Sequence, residues 1–123
     1  METKNKNESV PVEKVGLLLK IKNWFAEVVD MASAQWRIQP LLPREVAAVS
    51  FFSRISNIGR QVSVAHNPSH ALEFIYDMLA LSGSVKGSGC FVEAGCFKGG
   101  SAAKFSVVAK MLGRDLVLFD SFE

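Results

Sequence analysis

Apolar residues recur at helical spacing from about Lys14 to Trp36, at Val15, Leu18, Leu19, Phe25, Val28, Val29, Ala32 and Trp36. That period predicts a long first helix. Pro40 and Pro43 interrupt it and mark a short linker. Pro43 also suits the first turn of a second helix, which should reach about Asn57 and stop at Gly59. Arg60 to His66 carries no clear period and reads as irregular or weakly extended. Asn67 then offers an N-cap and Pro68 fits the first helical position. Ala71, Leu72, Phe74, Ile75, Met78 and Leu79 form the apolar stripe of a third helix, ended by Gly83, with a polar loop over Ser82 to Ser88.

From Cys90 the pattern changes to strand, turn, helix and strand, roughly at 90–94, 95–99, 100–112 and 116–120. Phe91-Val92-Glu93-Ala94 reads as a buried strand and Leu116-Val117-Leu118-Phe119-Asp120 as a second, with Gly113 stopping the helix between them. Such a βαβ unit should cross over right-handedly and keep its strands parallel. The expected organisation is therefore an α/β chain: a flexible N-terminus over 1–13, a helical region over 14–83, and a cofactor-binding unit over 84–123.

The chain has 123 residues, 49% hydrophobic and 21% charged, which fits one globular unit. A net charge of +2, spread without a dense basic run, argues against nucleic acid and anionic membranes as partners. Apolar runs are far too short to span a membrane. The first thirteen residues lack the apolar core of a secretion signal, so cytoplasmic residence is the expectation. Cys90 and Cys96 agree with it: an extended strand would hold them roughly 20 Å apart, too far for a disulfide. Their C-x5-C spacing is not a zinc signature either. Cys90 reads as a small core residue and Cys96 as a turn residue whose thiol is a candidate for reactivity.

Three ligands compete for the turn from Glu93 to Ser101. A P-loop needs lysine where Ser101 stands, and without it the β- and γ-phosphates lose their main counter-ion. A dinucleotide fingerprint needs glycine where Phe97 stands, and Glu93 would repel a diphosphate. S-adenosylmethionine has no phosphate, and its cationic amino-acid end suits Glu93. Gly95 permits a sharp turn beneath such a ligand. The N–H groups around Gly99, Gly100 and Ser101 suit its carboxylate. Asp120, 21 residues beyond Gly99, suits its ribose hydroxyls.

The residues Val92-Glu93-Ala94-Gly95-Cys96-Phe97-Lys98-Gly99-Gly100-Ser101-Ala102, followed by Val117-Leu118-Phe119-Asp120-Ser121-Phe122-Glu123, resemble the macrocin O-methyltransferase family. The close match covers about residues 90–123, with a looser one from His66 through the third helix. Class I methyltransferases generally carry glycines two, four and six residues after the acid. This chain keeps Gly95 and Gly99 but has Phe97 between them, a departure that this family shares. The resemblance implies a Rossmann-like sheet of seven strands, of which this chain holds the first βαβ unit. It implies methyl transfer from S-adenosylmethionine to a hydroxyl of a small molecule such as a sugar, often with a magnesium ion. The catalytic base and metal ligands would lie on later strands, beyond Glu123, so no catalytic or metal residue is carried over. On this reading the chain is an N-terminal fragment, inactive alone and able to form homo-oligomers. The rival reading is an inactive methyltransferase remnant that serves as an interaction or dimerisation module.

Other residues carry plainer readings. His66 and His70 stand at i, i+4, but Asn67-Pro68 falls between them and no carboxylate completes a metal site. Lys98 opposes the helix dipole and belongs in solvent. Lys14, Lys20, Lys22 and Arg37 read as the wet face of the first helix. Trp24, Phe25, Trp36, Phe51 and Phe52 read as core or dimer contacts.

Overall fold

The computed structural model describes residues 12–62, 66–84 and 89–121. Outside them lie the expected lead-in up to residue 11, positions 63–65, most of the polar loop, and the closing Phe122 and Glu123. The order of elements is α1 (Val12–Ile38), a single 3-10 turn (Gln39–Leu41), α2 (Ala48–Gln61), α3 (Pro68–Ser84), β1 (Phe91–Ala94), α4 (Gly100–Met111) and β2 (Leu116–Phe119).

The boundaries depart from the expectation where one local signal met a stronger partner. Pro43 does not open the second helix. Its carbonyl accepts the Val46 N–H at 2.9 Å in a turn, Ala47 is extended (ψ 120°), and α2 begins only at Ala48. Gly59 does not stop α2, which continues to Gln61. A Cβ at Gly59 would lie 3.2 Å from Lys104 Nζ, so the glycine serves as clearance for a neighbouring helix. Gly83 likewise lies inside α3. One glycine costs a helix only about 1 kcal/mol relative to alanine, less than the packing of the α3 apolar stripe supplies.

That stripe is the centre of the core. Leu72, Ile75, Met78 and Leu79 of α3 pack with Ala34 and Ile38 of α1, Phe51 and Ile55 of α2, and Val108 and Ala109 of α4. Arg37 does not simply face water: it pairs with Glu73 at 3.0 Å and lies 4.2 Å over the Tyr76 ring, joining α1 to α3. The pair is half exposed, so it fixes orientation more than it stabilises. The expected aromatic contacts divide. Phe51 is buried and meets half-buried Phe52 edge-on, whereas Trp24, Phe25 and Trp36 are exposed, Trp36 to 81%. Only the last part of α1 reaches the core, and Leu18, Leu19, Trp24 and Phe25 remain in the open. No helix among the described residues is long and apolar enough to cross a membrane.

β1 and β2 pair in parallel, Phe91 opposite Leu116 through Ala94 opposite Phe119. Alternation places Phe91, Glu93 and Leu116 on the face turned to the helices, and Val92, Val117 and Phe119 on a face left bare. Cys90 precedes the strand instead of opening it, and is exposed rather than part of the core. The chain is thus mostly helical among its described residues, with one small parallel sheet.

Lys104 lies on the inner side of α4, only 3% exposed, with no hydrogen bond or ion pair to its ammonium among the described residues. Burial pushes its pKa below the ordinary lysine value of 10.5. Between the depressed folded value and 10.5 the unfolded chain binds more protons, so this group adds stability as pH rises through that window. Lys104→Met should raise stability at neutral pH by on the order of 1 kcal/mol. The gain over wild type should shrink as pH approaches 10.5. Urea midpoints of both proteins across that range check the sign, and a gain that grows with pH would refute it.

Candidate functional site

The turn between β1 and α4 is built from left-handed backbone. Gly95 (φ 79°), Phe97 (φ 50°) and Gly99 (φ 78°) all lie in the region that favours glycine. Three hydrogen bonds hold this path. The Gly95 N–H donates to the Phe119 carbonyl at 2.8 Å, the Gly99 N–H to the Cys96 carbonyl at 2.8 Å, and the Phe97 N–H to Asp120 Oδ2 at 2.9 Å. Phe97 therefore takes a backbone conformation that ordinarily favours glycine. Its ring is 62% exposed, with Lys98 Nζ 5.6 Å from the ring centroid.

Beneath the turn lies Cys96, 4% exposed, its Sγ 3.9 Å from the carbonyl oxygens of Glu93 and Phe119. Desolvation, reinforced by the carboxylates of Glu93 and Asp120, pushes its pKa above 9.0. The thiol is thus protonated at neutral pH and enclosed, in line with the plain reading of Cys96 as a turn residue and against the reactive alternative.

Glu93 leaves β1 toward α4. Its Oε1 accepts a hydrogen bond from Ser101 Oγ in the first turn of that helix. Its Oε2 is buried and has no hydrogen-bond partner among the described residues. Both residues border a cavity of about 270 Å³, with Gly95 at its rim, an apolar wall of Phe74, Met78 and Phe105, and exposed His66. Gly99 is the N-cap of α4 and no side chain caps the helix. The first amides of such a helix lack partners within it and form its positive end.

The structure thus gathers Glu93, Gly95 and Ser101 around one cavity, with Gly99 and Gly100 at the adjoining helix start. Asp120 stands apart from that cavity. It closes the turn through Phe97, and its Oδ1 accepts the Ser121 hydroxyl at 3.4 Å. His66, Phe74, Met78 and Phe105 were not foreseen as lining residues. The i, i+4 stripe of α3 reads as core, and nothing in its spacing separates a cavity wall from a core face. Among the described residues no group of three or more His, Cys, Asp or Glu side chains could hold a metal ion. No protein-family model, curated protein or solved structure matches the chain.

Two substitutions in this turn should move stability in opposite directions. Nothing lies within 4 Å of a Cβ placed at Gly95, so Gly95→Val acts through backbone strain alone. At φ 79° a branched residue should cost on the order of 1–2 kcal/mol. Phe97→Gly releases that kind of strain and loses little buried surface, so it should stabilise by roughly 0.5 kcal/mol after glycine's greater unfolded-state entropy. Chemical denaturation of both variants checks the pair. A destabilised Phe97→Gly would mean that the ring supplies a contact outweighing the strain.

Proposed function

We propose that the strand–turn–helix unit binds S-adenosylmethionine and belongs to an O-methyltransferase of the macrocin type, built on a Rossmann-like sheet. The observation that carries this reading is the buried, unpartnered Oε2 of Glu93. A buried carboxyl oxygen without a donor is costly, so the site calls for a ligand that brings one. A cationic ammonium does so; a phosphate would add repulsion. The same observation therefore favours an amino-acid-bearing ligand over a nucleotide di- or triphosphate.

The remaining groups fit that ligand class. Ser101 holds one oxygen of Glu93, and both residues border the cavity. The uncapped start of α4 offers amides and a positive end to a carboxylate. Asp120 holds the turn through the Phe97 N–H and, in this reading, also accepts the ribose hydroxyls. S-adenosylmethionine supplies an electrophilic methyl group on a sulfonium, and the chain's part is to bind and orient it against an acceptor hydroxyl. Acceptor, general base and any magnesium site would belong to parts of such an enzyme beyond the described residues.

A second reading, an interaction or dimerisation module without catalysis, is favoured by the exposed apolar residues of α1. Calorimetric titration with S-adenosylmethionine separates the two. The cofactor reading expects saturable binding that Glu93→Gln weakens by roughly tenfold or more, the loss of a charge-assisted hydrogen bond. Asp120→Ala should weaken S-adenosylmethionine and its demethylated product together, because both carry the ribose. A self-associating chain whose titration shows no binding would overturn the cofactor reading and leave the module.

A further inference from the structure

On the side of α4 that faces α2, a second cavity of about 200 Å³ lies among the helices. Its wall is apolar at Met31, Phe52 and Leu72, with Gln35 and Ser56 as neutral polar groups. Two cations border it, the buried Lys104 and the exposed Arg60, and no carboxylate lines it among the described residues. The Lys104 ammonium reaches the α2 backbone at Gly59, where the missing Cβ leaves it space.

We propose that this cavity binds a small organic carboxylate, its anionic group against Lys104 with Arg60 beside it and its apolar body against Phe52 and Leu72. The Lys104 side chain is almost wholly packed away from water, which favours a counter-charge beside its ammonium, and among the described residues no carboxylate pairs with it. The volume sets the scale of the ligand. An apolar cavity of about 150 Å³ accepts benzene, so about 200 Å³ suits a benzoate-sized acid or a short-chain fatty acid. Inorganic phosphate would meet the cations but leave the apolar wall unfilled. The site is separate from the Glu93 cavity and holds whether or not the cofactor reading does.

The test is a titration of the full chain, by calorimetry and by amide chemical shifts, with benzoate, benzyl alcohol and inorganic phosphate. Benzoate should bind saturably, moving the amides of α2 and the middle of α4. Benzyl alcohol, with the ring but not the charge, and phosphate, with the charge but not the ring, should each bind at least roughly tenfold more weakly. Lys104→Met keeps the volume and removes the charge. It should lower benzoate affinity by roughly tenfold or more while leaving benzyl alcohol unchanged or improved, and Lys104→Arg should retain most of the benzoate affinity. Amide shifts establish that each variant is folded. Benzoate binding that is absent, or equal in wild type and Lys104→Met, would overturn the site. Phosphate binding as tightly as benzoate would overturn its organic ligand class.

Discussion

The hydrogen bond from the Phe97 N–H to Asp120 is the constraint on which the β1–α4 turn depends. It ties the middle of the turn to the residue after β2, so the two strand ends and the start of α4 cannot move independently. The Gly95 bond to Phe119 closes the same junction from below, and Cys96 fills the space between the strands and the turn. With the junction closed, α4 starts where Ser101 meets Glu93, and among the described residues no side chain caps its first amides. A turn with three left-handed residues is entropically expensive, and a non-glycine among them is strained. The Asp120 carboxylate offsets part of that cost. This gives Asp120 a structural role that exists before any ligand, and explains how an aromatic residue occupies a glycine's conformation.

Much of this was legible in the sequence, and the parts that were not share a cause. The βαβ unit was readable because each boundary has a local signal: a short apolar run, Gly95 and Gly99 around the turn, Gly113 after α4. Helix existence was readable from periodicity. What failed were glycine, proline and cysteine assignments whose meaning depends on a distant neighbour. Gly59 looks like a stop until Lys104 is seen to reach it across the helix interface. Pro43 looks like a helix start until its carbonyl is seen to close a turn with Val46. Cys90 looks like the first strand residue, yet pairing begins at Phe91, where the N–H meets the Asp115 carbonyl. At the site, Glu93 and Ser101 were legible as residue types. That one oxygen would be held and the other left without a partner was not, since no spacing rule encodes a side-chain rotamer.

The sheet has a lopsided environment. Its inner face meets α3 and α4, while Val92, Val117 and Phe119 face outward without cover. Parallel strands are ordinarily buried on both faces, because the crossovers that join them place helices on both sides. A bare apolar face on a parallel pair is thus at odds with a self-sufficient two-stranded sheet. Cover on that face is what the proposed methyltransferase reading requires. The open apolar side of α1 adds the same tension on the helical side of the molecule. Both surfaces bring several exposed apolar residues together, the kind of surface that the module reading requires.

Glu93 and Lys104 make the strongest case that the interior serves more than folding. They are opposite in type, one on β1 and one on α4, and among the described residues they are not joined to each other: one Glu93 oxygen has no hydrogen-bond partner and Lys104 makes no ion pair. Stability alone would replace each by an apolar residue of similar volume, or bring the two together. Instead each residue borders its own cavity, one on the sheet side of α4 and one on the α2 side. Local rules are expected to break where a protein binds something, because the missing partner then arrives from outside. Two separate breaks, of opposite chemical sign, argue for two ligands of opposite charge at the contacting end: a cationic group for Glu93 and an anionic one for Lys104.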